Sequence, residues 1–143
     1  MAEFTEAVHE KCMAFADRIV KLNDYLLAQE AKKEELKARG TKNSEQRGKI
    51  PVYLLSVATL CNQLLRAGTS IGANNAEAIN AISKNDYRSK SFIALKEARE
   101  SLYWIELLHR NGFLEEKQYE SIHDDCEELV KILVTRCKKM NEL

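Results

Sequence analysis

Three glutamates in this 143-residue chain each stand three residues before a histidine: Glu6 and His9, Glu106 and His109, Glu120 and His123. Glu-x-x-His is the spacing by which paired helices of a bundle hold two iron ions, and that chemistry needs both side chains to project into the core. At 3.6 residues per turn, Glu6 lies nearly opposite the apolar stripe of its segment, and Glu120 points well away from its own. Only Glu106 and His109 are expected to face inward. They stand in the last turn of a helix, where a cationic histidine complements the helix dipole. The pattern therefore predicts no metal centre and no cofactor.

Nucleophilic chemistry finds no better seat. Cys12, Cys61, Cys126 and Cys137 are widely spaced, without the Cys-x-x-Cys of redox and zinc sites. Cys12 and Cys126 fall on apolar stripes, so buried free thiols are expected. The serines lack a neighbouring base, and no phosphate-binding glycine loop precedes a helix. Gly68 and Gly72 have the spacing of a membrane-helix contact, but Arg66, Asn74 and Glu77 beside them exclude that reading. No catalytic residue is assigned, and a non-enzyme is expected.

Binding chemistry is better represented. Gln63, Arg66, Ser70, Asn74 and Glu77 fall within roughly a quarter of a helix circumference and form a polar track. Short side chains such as Ser70 and Asn74 favour caps and turns over helix interiors unless they have partners. The track is thus either a solvated face or a set of bonds to another helix or subunit. Further on, Ser91, Leu95, Ala98, Leu102 and Ile105 make a core stripe, yet Ile93, Trp104 and Leu107 lie on the other side, interleaved with Lys96, Glu97 and Glu100. One buried stripe suffices for a bundle helix, so this second face predicts a subunit interface.

Lys plus Arg and Asp plus Glu both total 22, so the net charge is zero and any nucleic-acid contact must be a local patch. Lys84, Arg88 and Lys90 share one end of the fold with Arg136, Lys138 and Lys139. A second group, from Lys32 to Lys49, surrounds the first connection. An oligomer would repeat each patch around its axis, which keeps weak RNA contact in view.

Helices must position these residues. Phe4, Val8, Cys12, Phe15, Ile19, Leu22 and Leu26 recur at spacings of three and four, predicting a helix over about 2–36. Residues 37–50, with Gly40, Asn43, Ser44 and Gly48, read as a long mobile loop before Pro51, which suits a helical first turn. A second helix over about 51–81 has an apolar arc of Leu54, Ala58, Cys61, Leu65, Gly68, Gly72, Ala76 and Ile79. Its two glycines imply close approach of another helix. Ser83 and Asp86 open a third, over about 84–110, that stops at Asn111-Gly112. The fourth, over about 115–141, buries Tyr119, Ile122, Cys126, Leu129, Leu133, Cys137 and Met140. One long and two short connections predict an all-α, antiparallel up-down four-helix bundle in a single domain, 1–143, that self-associates. No secretory leader and no membrane span is visible, so a cytoplasmic protein is expected.

The stretches from Gln63 to Ala78 (QLLRAGTSIGANNAEA), from Ser91 to Glu100 (SFIALKEARE) and from Tyr103 to Leu108 (YWIELL) resemble the bacterial four-helix-bundle family encoded in intervening sequences of 23S ribosomal RNA genes, sometimes labelled a ribosomal protein. The resemblance implies a homo-oligomer, reported as a pentamer, with RNA or an RNA-processing protein as a possible partner. A relative serves as accessory protein to the reverse transcriptase of diversity-generating retroelements. Asn75 departs from the aliphatic residue usual in that family, and the 37–50 connection is longer than expected.

Overall fold

The computed structural model of the chain describes residues 2–40 and 52–141, without the side chains of residues 2–4, 38, 40, 52–54 and 140–141. Among the described residues there are four helices and no strand: α1 (Ala2–Gly40), α2 (Val52–Ile79), α3 (Lys84–Arg110) and α4 (Glu116–Asn141). Helix α1 runs four residues beyond the expected Leu36, through part of the expected loop. Its last turns carry i, i+3 and i, i+4 ion pairs, Lys33 with Glu30, Lys37 with Glu34 and Arg39 with Glu35, which support a helix with little apolar face left to bury. The rest of that connection lies outside the described residues.

The short connections are set by local chemistry. Ser83 caps α3: its hydroxyl accepts from the Asp86 amide at 3.1 Å, and the Asp86 carboxylate accepts from the Ile82 amide at 3.2 Å. At the other end Gly112, with φ +74°, takes the left-handed position that a side chain disfavours. Its amide reaches His109 O, and the Phe113 amide reaches Leu108 O at 3.0 Å, the two bonds of a Schellman stop. Gln118 Oε1 then accepts from the Glu115 amide and opens α4.

Each helix runs antiparallel to its neighbours. Gly72 sits against Cys12 and Gly68 against Ile19, Arg66 meets Glu100 while Glu77 meets Lys90, and Cys126 reaches Ala98. Lys11 with Glu128 and Arg18 with Asp125 close the ring. Helix α2 packs most extensively on α1 and α3, whereas α1 and α4 touch sparsely and leave a groove of about 230 Å³ lined by Arg18, Leu22, Tyr25, Gln118 and Ile122.

The core follows the expected stripes on α1, α3 and α4: Val8, Cys12, Phe15, Ile19 and Leu26 are buried, as are Ser91, Leu95, Ala98 and Ile105, and Ile122, Cys126, Leu129, Leu133 and Cys137, while Leu22, Leu102 and Tyr119 on the same stripes are half-buried against it. Phe4, Leu54 and Met140 lie outside the described side chains. Helix α2 differs. Its deepest residues are Val57, Cys61, Leu64, Ala67, Ile71, Asn75 and Ala78, while Ala58, Leu65 and Ala76 are half-buried and Ile79 is exposed. Of the expected arc, Cys61, Gly68 and Gly72 are buried, the glycines against α1, and the other deep residues extend round the wheel because α2 packs on both α1 and α3.

Candidate functional site

The polar track of α2 and the second face of α3 meet across one seam. Arg66 is the hinge of this surface. It donates through Nη2 to Glu100 Oε1, its Nη1 lies 3.9 Å from Glu97 Oε2, and its Nε reaches Gln63 Oε1 at 3.4 Å. The same Glu100 oxygen accepts from Trp104 Nε1 at 3.1 Å. A guanidinium and an indole N–H thus converge on one carboxylate, and the Trp104 ring, lying over the seam, packs partly on the core. Tyr103 completes the edge: its ring meets Trp104 in a T-shaped contact at 4.9 Å and is 57% exposed.

Farther along, Glu77 pairs with Lys90, and this hydrogen bond holds the Lys90 ammonium above its ordinary value. Asn74 turns back on its own helix, donating from Nδ2 to Ser70 O at 2.9 Å. Of the two expected alternatives, Arg66 and Glu77 make bonds to another helix and link α2 to α3, whereas Gln63, Ser70 and Asn74 bond within α2. Glu97 and Glu100, expected to pair with another subunit, already face Arg66 of their own chain. Ile93 and Leu107 are half-buried beside it and Lys96 is exposed. Tyr103 was not assigned from sequence; its place next to Trp104 in the chain was the available signal.

The basic end is smaller than expected. Arg136 is 9% exposed and donates from Nη1 to Asn75 Oδ1 at 2.8 Å, so it belongs to the interior and is removed from the candidate nucleic-acid contacts. It falls on the inner side because Leu129, Leu133 and Cys137 set the direction of α4, and position 136 stands beside them on the wheel. The same bond accounts for Asn75, a polar residue with no exposure at a position where the resemblance expects an aliphatic one. Lys90 is engaged with Glu77. Lys84, Arg88, Lys138 and Lys139 remain exposed, with the Arg88 guanidinium 5.9 Å from the Phe92 ring centre.

The histidines do not converge. Glu106 points to solvent and pairs with Arg110, correcting the expectation that it faces inward with His109. His109 instead spans the α3–α4 turn, with Nδ1 3.1 Å from Leu114 O, Nε2 3.4 Å from Glu116 and its ring stacked on Tyr119. Among the described residues, no group of three or more His, Cys, Asp or Glu side chains gathers closely enough to hold a metal.

All four thiols are free and buried. Burial pushes Cys12 and Cys61 up to about 11 and Cys126 up to about 12, with Arg136 pulling Cys12 slightly back. Cys137 is raised for the same reason, against the pull of Arg136 and Arg88. Such thiols stay protonated and act as small apolar groups; Cys126 Sγ donates to Ala98 O at 3.3 Å, tying α4 to α3. No helix among the described residues is long and apolar enough to cross a membrane. What the molecule presents is ordered surface: the α2–α3 seam and one basic end.

The seam, together with Lys84 and Arg88 of the basic end, lies in the part of the chain that a family model covers, whereas Lys138 and Lys139 lie beyond it. The family model for the 23S rRNA-intervening sequence protein matches residues 55–135. Among solved structures, a protein of unknown function from the S23 ribosomal protein family of Bacteroides thetaiotaomicron VPI-5482 is 37% identical, with 94% of this chain and 97% of that chain covered at a TM-score of 0.70. A comparison with the curated proteins finds no match. On the family match and the shared bundle, the chain belongs to the 23S rRNA-intervening sequence protein family, a family without an assigned activity.

Proposed function

We propose that this protein is a non-enzymatic, cytoplasmic assembly protein that works as a homo-oligomer, with the α2–α3 seam as its contact surface. The arrangement that carries this reading is Arg66–Glu100–Trp104. A ring held in one orientation by a hydrogen bond loses little freedom on contact, and a held aromatic is the kind of residue on which interface energy concentrates. The pentamer implied by the family resemblance is the expected form. The native chain should scatter light as a multiple of 16.4 kDa, and Trp104→Ala should move the mass toward monomer while keeping helicity. A native monomer at high concentration overturns this reading.

The second reading is an accessory module for nucleic acid, similar to the reverse-transcriptase partner. It is favoured by the gathering of Lys84, Arg88, Lys138 and Lys139, all exposed, at one end of the bundle. The family's association with the 23S rRNA intervening sequence makes RNA the first nucleic acid to test. Binding should be weak and sequence-tolerant, and should fall steeply as salt rises. Tight binding to one RNA at physiological salt, with scrambled RNA excluded, would make this the leading reading.

A further inference from the structure

Helix α1 sorts its charges by face. Lys11 and Arg18 turn toward α4, where Lys11 meets Glu128 at 2.8 Å and Arg18 meets Asp125 and both Ser121 oxygens. On the outward side, Glu6, Glu10, Met13, Asp17, Val20 and Asp24 fall within roughly a quarter of the circumference. All six are exposed, Met13 at 47% and Val20 at 43%. Among the described residues, no ion pair reaches the four carboxylates. Lys21, also exposed, borders this face, so a chain of zero net charge carries a face of net negative charge with two apolar side chains at its centre.

The spacing is as informative as the sign. Met13 and Val20 are seven residues apart, and so are Glu10, Asp17 and Asp24. A seven-residue repeat of apolar positions flanked by charge is what a helix offers to a second helix in a left-handed pair. Because the flanking charge is predominantly negative, with Lys21 at its edge, a symmetric contact between two copies of this face would set acid mostly against acid. The occupant must bring the opposite charge. We infer that the outward face of α1 docks a basic amphipathic helix of another protein, whose apolar residues cover Met13 and Val20 while its lysines or arginines meet Glu10, Asp17 and Asp24.

This surface is separate from the α2–α3 seam, since α1 packs on α2 and α4. The test titrates the full chain into a fluorescein-labelled three-heptad helical peptide with leucine at the seam and lysine beside it. Two controls are used: the same peptide with glutamate in place of lysine, and a scrambled peptide of identical composition. The lysine peptide should bind at least about tenfold more tightly than either control. The double variant Asp17→Lys, Asp24→Lys should reverse the preference between the lysine and glutamate peptides, and Val20→Ser should weaken the lysine peptide several-fold. These are exposed positions, so the variants should keep native helicity. Trp104→Ala should leave peptide affinity unchanged, which separates this inference from the assembly reading. Equal binding of the scrambled peptide, indifference to the charge reversal, or loss of native mass in the reversed variant would each overturn the proposal, the last by making a second copy the occupant.

Discussion

Arg136 and Asn75 meet inside the bundle, with the guanidinium of α4 donating to the amide oxygen of α2 at 2.8 Å and neither side chain reaching water freely. Removing one partner strands the other. Asn75→Leu should lower unfolding free energy by about 3 kcal/mol, because a buried cation loses its acceptor. Adding Arg136→Met should recover most of that loss, since two apolar side chains replace the polar pair. Urea unfolding of the four proteins, at one fixed protomer concentration, reads the cycle.

The chain's one tryptophan reports on the seam. Arg66→Met removes the cation that shares Glu100 with Trp104, so the indole should gain mobility and its emission should shift to longer wavelength. The stability change should stay within about 1 kcal/mol, because the pair is largely solvated. Glu100→Lys should weaken assembly more than Arg66→Met, since it removes the acceptor of the indole and sets two cations together.

Gly68 and Gly72 should answer differently to alanine. A Cβ at Gly72 meets Cys12 Cβ at 3.4 Å, an ordinary contact, so Gly72→Ala should be neutral or stabilise by up to about 1 kcal/mol through helix propensity. At Gly68 the added atom lies 3.0 Å from Ile19 Cγ1, and Ile19 is fully buried and stiff at χ1. Overpacking there should outweigh the propensity gain, leaving Gly68→Ala less stable by about 1 kcal/mol. Thermal unfolding of both variants checks the difference.

The thiols predict both a reactivity and a pH dependence. Native protein at pH 8 should react slowly with a disulfide reagent, whereas unfolded protein should expose all four cysteines. An acid whose pKa is raised by folding keeps its proton longer in the native state. Stability is then untouched below the ordinary thiol value of 9.0 and falls as pH rises from there toward 11 to 12, where Cys12, Cys61 and Cys126 ionise in the fold. A cysteine-to-alanine variant at Cys126 should flatten part of that slope in urea unfolding.

Residue order alone determined what depends on near neighbours. The stripes of α1 and α4, the Ser83 cap, the Gly112 stop and the four-helix count were legible because caps and amphipathic periods are local interactions that a chain writes in its own spacing. The burial of the thiols followed from the same periods. Other features required the packed bundle. The wheel of α2 is apolar on two sides, and only its position between α1 and α3 decided that Val57, Leu64 and Ile71, rather than Ala58 and Ile79, lie deepest. Arg136 reads as a surface cation until Asn75, 61 positions away in the chain, is brought against it. The Arg66–Glu100 contact and the consumption of Lys11 and Arg18 by α4 likewise join residues far apart in sequence. Long charged side chains can pair in many ways along an unfolded chain. The pairs that form, and the acidic face left on α1, depend on which helices become neighbours and at what register.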